Sequence, residues 1–197
     1  RSETRRSRTS RPAGKKKVEG ESDGDSRVNV HGSQSSTFHQ SNELDVDALS
    51  QSLAIIEYLD EIHPQSPLLP ASALERAHVR AMALTVACEI HPLNNLRVLQ
   101  YLTQTLGADD TAKNTWYHHW VASGFTALET LLTRHSGRYC FGNAVTLADL
   151  CLVPQVYNAQ RFNVDLTPYP NIMRVWAECN QLEAFANAAP ERQADAV

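Results

Sequence analysis

The stretch Val145-Thr146-Leu147-Ala148-Asp149-Leu150-Cys151-Leu152-Val153 carries the clearest structural signal in the chain. Thr146 and Asp149 form a capping box, in which each side chain serves backbone donors that the first helical turn leaves unpaired. Val145 and Leu150 hold the two places of a hydrophobic staple, so the entry angle of the chain is set as well. The helix this opens is predicted over 147–161, with Leu150, Cys151, Leu152, Val153, Val156 and Tyr157 on nearly every side. A helix apolar all round belongs in the centre of a bundle. Loss of the Thr146 cap is expected to cost about 1 kcal/mol, and more in a dry setting.

The flanking segments are helical too. After a Pro168-Tyr169-Pro170 turn, two shorter helices are predicted around 172–180 and 182–188. On the other side, Asp109 or Asp110 caps a helix whose apolar face holds Trp116, Trp120, Phe125, Leu128, Leu131 and Leu132 and which ends by Gly137. Ser72 and Glu75 read as a second capping box ahead of Ala77, Val79, Ala81, Met82, Leu84, Val86 and Ile90. Pro92 is expected to kink that helix, which resumes at Leu96, Val98, Leu99 and Leu102 and stops at Gly107. Pro64, Pro67 and Pro70 mark an extended linker, because each lacks a backbone donor and biases its predecessor away from the α region. Ser52 reads as the N-cap of a helix over 53–62 carrying Leu53, Ile55, Ile56, Leu59 and Ile62. Leu44, Val46 and Ala48 alternate with Asp45 and Asp47, the period of a short strand leading into it.

Composition sets the outer bounds. At 197 residues, 42% hydrophobic and 20% charged, the chain can build one ordinary core or two small ones. No run approaches the roughly 20 apolar residues that span a bilayer, and the basic, Ser-rich start has no apolar core of a secretory signal. Cys88, Cys140, Cys151 and Cys179 are far apart in apolar surroundings, which reads as reduced core thiols in a cytosolic protein. No HExxH motif and no His/Cys cluster suggests a metal, and the net charge of −4 gives no general reason to expect nucleic acid as a partner. Half of the 18 Lys and Arg residues nevertheless lie in the first 27 positions, and residues 1–43 hold no Leu or Ile. Such a segment cannot offset about 1–2 kcal/mol of ordering cost per residue, so it is expected to be a disordered tail.

Four stretches in order resemble the zeta class of the glutathione S-transferase family, which includes the maleylacetoacetate and maleylpyruvate isomerases. They are Gln51-Ser52-Leu53-Ala54-Ile55-Ile56-Glu57-Tyr58-Leu59, His91-Pro92-Leu93-Asn94-Asn95-Leu96-Arg97-Val98-Leu99, Ala148-Asp149-Leu150-Cys151-Leu152-Val153-Pro154-Gln155-Val156, and Arg161-Phe162-Asn163-Val164-Asp165-Leu166-Thr167-Pro168-Tyr169-Pro170. The fold class implied is mainly α, a glutathione transferase C-terminal helical bundle over 72–197. A linker over 65–71 and the last strand and helix of a thioredoxin-like α/β domain over 44–64 precede it, with the tail over 1–43. The family's thiol-activating Ser/Cys motif is not found between Arg1 and Glu43, and the tail resembles an out-of-frame or artificial replacement of the N-terminal half-domain. The catalytic residue is therefore left unassigned.

The activity the resemblance implies is glutathione-dependent cis-trans isomerisation of maleylacetoacetate to fumarylacetoacetate in aromatic amino-acid catabolism. A thiolate adds to the activated double bond, the bond rotates, and the thiolate leaves. The resemblance assigns Gln51, Ser52, His91, Asn95, Leu96 and Arg97 to glutathione, and Arg161 to a carboxylate of the dicarboxylic substrate. A helix N-terminus suits an α-carboxylate, and a guanidinium suits a bidentate one. If the helix runs through Pro92, His91 and Asn95 share a face. The family also implies a cytoplasmic homodimer. With the N-terminal half-domain missing, activity is expected to be impaired and apolar faces of the 53–62 helix to be left open. Two other classes remain: a non-catalytic, glutathione-transferase-like interaction module, and nucleic-acid binding through residues 1–17.

Overall fold

A computed structural model describes residues 49–194. The strand expected over 44–48 and the tail over 1–43 lie outside the described residues. Within them the chain is almost wholly helical: α1 (Ser52–Ile62), α2 (Ala73–Leu84), α3 (His91–Asn94), α4 (Leu96–Gln100), α5 (Asp110–His135), α6 (Leu147–Arg161), α7 (Pro170–Asn180) and α8 (Glu183–Asn187). A π-helical turn, Thr85–Ile90, joins α2 to α3, and a second, Tyr101–Thr105, extends α4. A single 3-10 turn, Pro190–Arg192, follows α8.

The helix opened by the Thr146 box is central, as its sequence implies. Leu147, Ala148, Asp149, Leu152, Gln155, Val156 and Ala159 of α6 are buried, and the helix packs between α2 and α7. The carboxylate of Asp149 has no solvent exposure. Its Oδ2 accepts the Thr146 N–H at 2.8 Å and the Thr146 hydroxyl at 2.9 Å, and its Oδ1 accepts the Cys140 N–H at 2.8 Å. One side chain thus fixes the start of α6 and the loop before it. The core around α6 comes from Val79 and Met82 of α2, Ile90 of the π-helical turn, Val121, Phe125, Leu128 and Leu132 of α5, and Ile172 and Val175 of α7. Gly124 is what lets Ile90 reach α5, since a Cβ there would stand 2.3 Å from Ile90 Cγ1.

Several helix ends differ from the sequence reading. Ser72 stands at the N-cap of α2, but its side chain makes no cap hydrogen bond, so the second capping box does not form. Gln51, not Ser52, is the N-cap of α1: its φ of 73° turns the chain one residue early, and Ser52 is already helical. The interruption near Pro92 falls at Asn95, whose ψ of 159° is extended. Pro92 is tolerated because it sits in the first turn of α3, where its missing N–H would lack a partner anyway. Asp109 caps α5 by accepting the Ala112 N–H at 2.8 Å, and Gly107 has the left-handed φ of 69° that a stop there needs. The proline linker is pinned at both sides, with Leu68 N–H donating to Asp60 Oδ1 at 2.6 Å and Leu147 N–H donating to Leu68 O at 3.0 Å. Cys88 departs from the core-thiol reading and is exposed. Val79, Met82, Ala83, Val86 and Ile90 take the buried helical face, and a residue two places from Val86 points away from it.

Candidate functional site

Two surfaces carry the candidate residues. The first is the amino end of α1. Gln51 adopts φ 73° and ψ 114°, an unfavourable conformation for a residue with a Cβ, and such strain gathers at ligand sites. Among the described residues no side chain caps this end, and no acidic residue lies in its first turn, an arrangement whose N–H groups and dipole favour an anion.

The α1 helix meets the carboxyl half of α2 at one place. Glu57 Oε1 accepts from Arg80 Nε at 2.8 Å, and Leu53, Ala54 and Glu57 line a cavity of about 310 Å³ with Arg80, Ala83, Leu84 and Leu147. Ser52 itself is exposed and lines neither cavity. His91, which follows the π-helical turn at the start of α3, is exposed and lines neither cavity.

The second surface lies where α4, α5 and the end of α6 meet. Phe162 stacks on Tyr117 of α5 at 3.9 Å between ring centres, and its carbonyl meets His118 Nε2 at 2.7 Å. Leu96, Leu99, Gln100, Thr103, Lys113 and Phe162 enclose a cavity of about 200 Å³. Arg161, the last residue of α6, is exposed, with its guanidinium 5.8 Å from the centre of the Tyr157 ring.

The sequence-assigned residues are only partly brought together. Asn95 is occupied as a cap: its Oδ1 accepts the Val98 N–H at 3.1 Å, and its Nδ2 donates to Pro92 O at 3.1 Å. Because the helix stops at Asn94, the face expected to hold His91 and Asn95 together does not form. Leu96 lines the second cavity, whereas Arg97 is exposed on α4 and pairs with no carboxylate among the described residues. Neither cavity joins the α1 start to Arg161.

Three side chains went unnoticed in the sequence. Asn94 is buried and donates from Nδ2 to Tyr117 O at 3.2 Å, while its Oδ1 and the Nε2 of buried Gln155 have no partner among the described residues. Glu191 accepts from the Tyr157 hydroxyl. Tyr157 was legible, one turn before Arg161 on the same face; Glu191, 30 residues beyond Arg161, was not. Burial, aided by the Asp149 carboxylate, pushes Cys140 well up, Cys151 to about 11 and Cys179 to about 12, so all three stay protonated near neutrality.

Residues 95–187 match the family model of the glutathione S-transferase C-terminal domain. A probable maleylacetoacetate isomerase of Vibrio cholerae is 55% identical over 148 residues, which cover 75% of this chain and 69% of that protein. A solved maleylpyruvate isomerase, described as a bacterial glutathione S-transferase of the zeta class, superposes with a TM-score of 0.74 at 53% identity, covering 76% of this chain and 72% of that one. A maleylacetoacetate isomerase from Methylobacterium extorquens AM1, solved with malonate and glutathione bound, gives 0.74 at 37% identity, covering 78% and 72%. The chain belongs to the glutathione S-transferase family, and within it to the zeta class of isomerase-type enzymes. No helix among the described residues is long and apolar enough to cross a membrane.

Proposed function

We propose that this chain is a glutathione-dependent cis-trans isomerase of maleylacetoacetate, serving aromatic amino-acid catabolism as a cytoplasmic homodimer. Its domain division runs over 44–64, 65–71 and 72–197. The observation that supports the reading is the strained amino end of α1, which no side chain among the described residues caps. In this reading Ser52 and the first N–H groups of α1 hold the γ-glutamyl carboxylate, with Gln51 beside them. His91 donates to the peptide, and Asn95, Leu96 and Arg97 border it. Arg161 grips a carboxylate of the substrate, a task its planar fork performs and a lysine does not. Glutathione, when bound, supplies the thiol that adds to and leaves the double bond.

The test is retention on immobilised glutathione. Retention with elution by free glutathione supports the reading, and flow-through of folded protein fits the non-catalytic module instead. With isomerase assays, Arg161→Ala or Arg161→Lys is expected to raise KM for the dicarboxylate far more than for glutathione. Equal effects on both discard the assignment of Arg161.

A further inference from the structure

The end of α6 already has a carboxylate on it. Arg161 and Tyr157 stand one helical turn apart on one face, and the guanidinium lies 5.8 Å from the centre of the Tyr157 ring. The Tyr157 hydroxyl donates to Oε1 of Glu191, brought in by the 3-10 turn Pro190–Arg192 after the last helix. Arg161 makes no ion pair among the described residues, so its fork is not spent on Glu191. A guanidinium fork and a phenolic O–H on one face form a receptor for a carboxylate, and the second of these donors is held by a carboxylate of the chain itself.

We propose that the Tyr157 hydroxyl is a second donor for the ligand carboxylate beside Arg161, and that Glu191 is a built-in competitor that must leave before that carboxylate binds. The proposal rests on the reading of Arg161 as the carboxylate site. A dianionic ligand meets two obstacles at this point: a donor already engaged, and a like charge next to its own. Once Glu191 swings away, the C-terminal turn loses its latch on α6, so binding and release of that turn are coupled. The hydrogen bond to Glu191 also raises the Tyr157 phenol above its usual range and lowers the Glu191 carboxyl, which makes the latch measurable without any ligand.

Two experiments on the full chain test this. In the first, malonate affinity is measured by calorimetry for the unmodified chain, Glu191→Gln, Glu191→Gln with Tyr157→Phe, and Arg161→Ala, with circular dichroism to establish folding. Glu191→Gln is expected to bind malonate about three- to tenfold more tightly, and adding Tyr157→Phe to abolish that gain. An unchanged affinity in Glu191→Gln, or a gain that survives Tyr157→Phe, overturns the proposal while Arg161→Ala still weakens binding. Malonate binding that is absent throughout, or indifferent to Arg161→Ala, overturns the Arg161 reading instead. In the second, the tyrosine ring is titrated by NMR, with Tyr157 assigned through Tyr157→Phe. Its midpoint is expected to fall in Glu191→Gln, and an unmoved midpoint refutes the latch whatever the ligand does.

Discussion

Asp149 shows how much one side chain can decide. Its two oxygens take three hydrogen bonds from Thr146 and Cys140, away from water, and the Cys179 thiol approaches Oδ1 at 3.7 Å. Asp149→Ala strands these donors in a dry interior at about 1–3 kcal/mol each, so a loss of about 3–5 kcal/mol is expected. Asp149→Asn keeps one acceptor oxygen and is expected to lose less. Thermal unfolding of the two variants checks both statements, and an unchanged midpoint in Asp149→Ala shows the cap to be solvated. Asn95 is the smaller case. It caps α4 and bonds to Pro92 O, and Asn95→Ala is expected to cost about 1 kcal/mol. If glutathione binding falls as well, Asn95 also serves the ligand, which its geometry in the free chain does not require.

At the scale of elements, the interruption between α2 and α4 is what separates structure from pattern. The apolar spacing through Ile90 was plain, and Pro92 marked the trouble, but the break falls three residues later at Asn95. A proline in a first helical turn costs little, whereas an asparagine that accepts the Val98 N–H rewards a fresh start. The seat of Ile90 against Gly124 fixes how closely the π-turn lies on α5. Gly124→Ala puts a methyl group into the Ile90 side chain, and a loss of about 1–3 kcal/mol is expected. Ile90→Ala in the same chain makes room for that methyl. The double variant is therefore expected to lose less than the two single losses added together, as urea titration can establish.

Across the whole molecule, His78 of α2 and His135 of α5 tie two helices together. Their rings stand 4.5 Å apart between centres and stack with Phe141. Burial, and then the charges of His78 and Arg134, hold His135 below its usual value. The unfolded chain therefore takes up the proton more readily. The stabilisation is present above about pH 6.5 and is lost as the pH falls through the lower value of the folded ring. Urea midpoints at pH 7.5 and 5.5 are expected to differ, and the difference to shrink in His135→Phe. The helical bundle was legible in the sequence, since the Thr146 box, the Asp109 cap, the Gly107 stop and the apolar spacings are local and each is set by a few neighbouring residues. The class followed from four short stretches in order. Which residues meet across the chain was not legible. The strained turn at Gln51 and the break at Asn95 are backbone turns that no apolar spacing marks, and the Glu191 carboxylate beside Tyr157 depends on a contact between segments 34 residues apart. Only packing decides such contacts, because no periodicity records which surface a loop or a last turn will find.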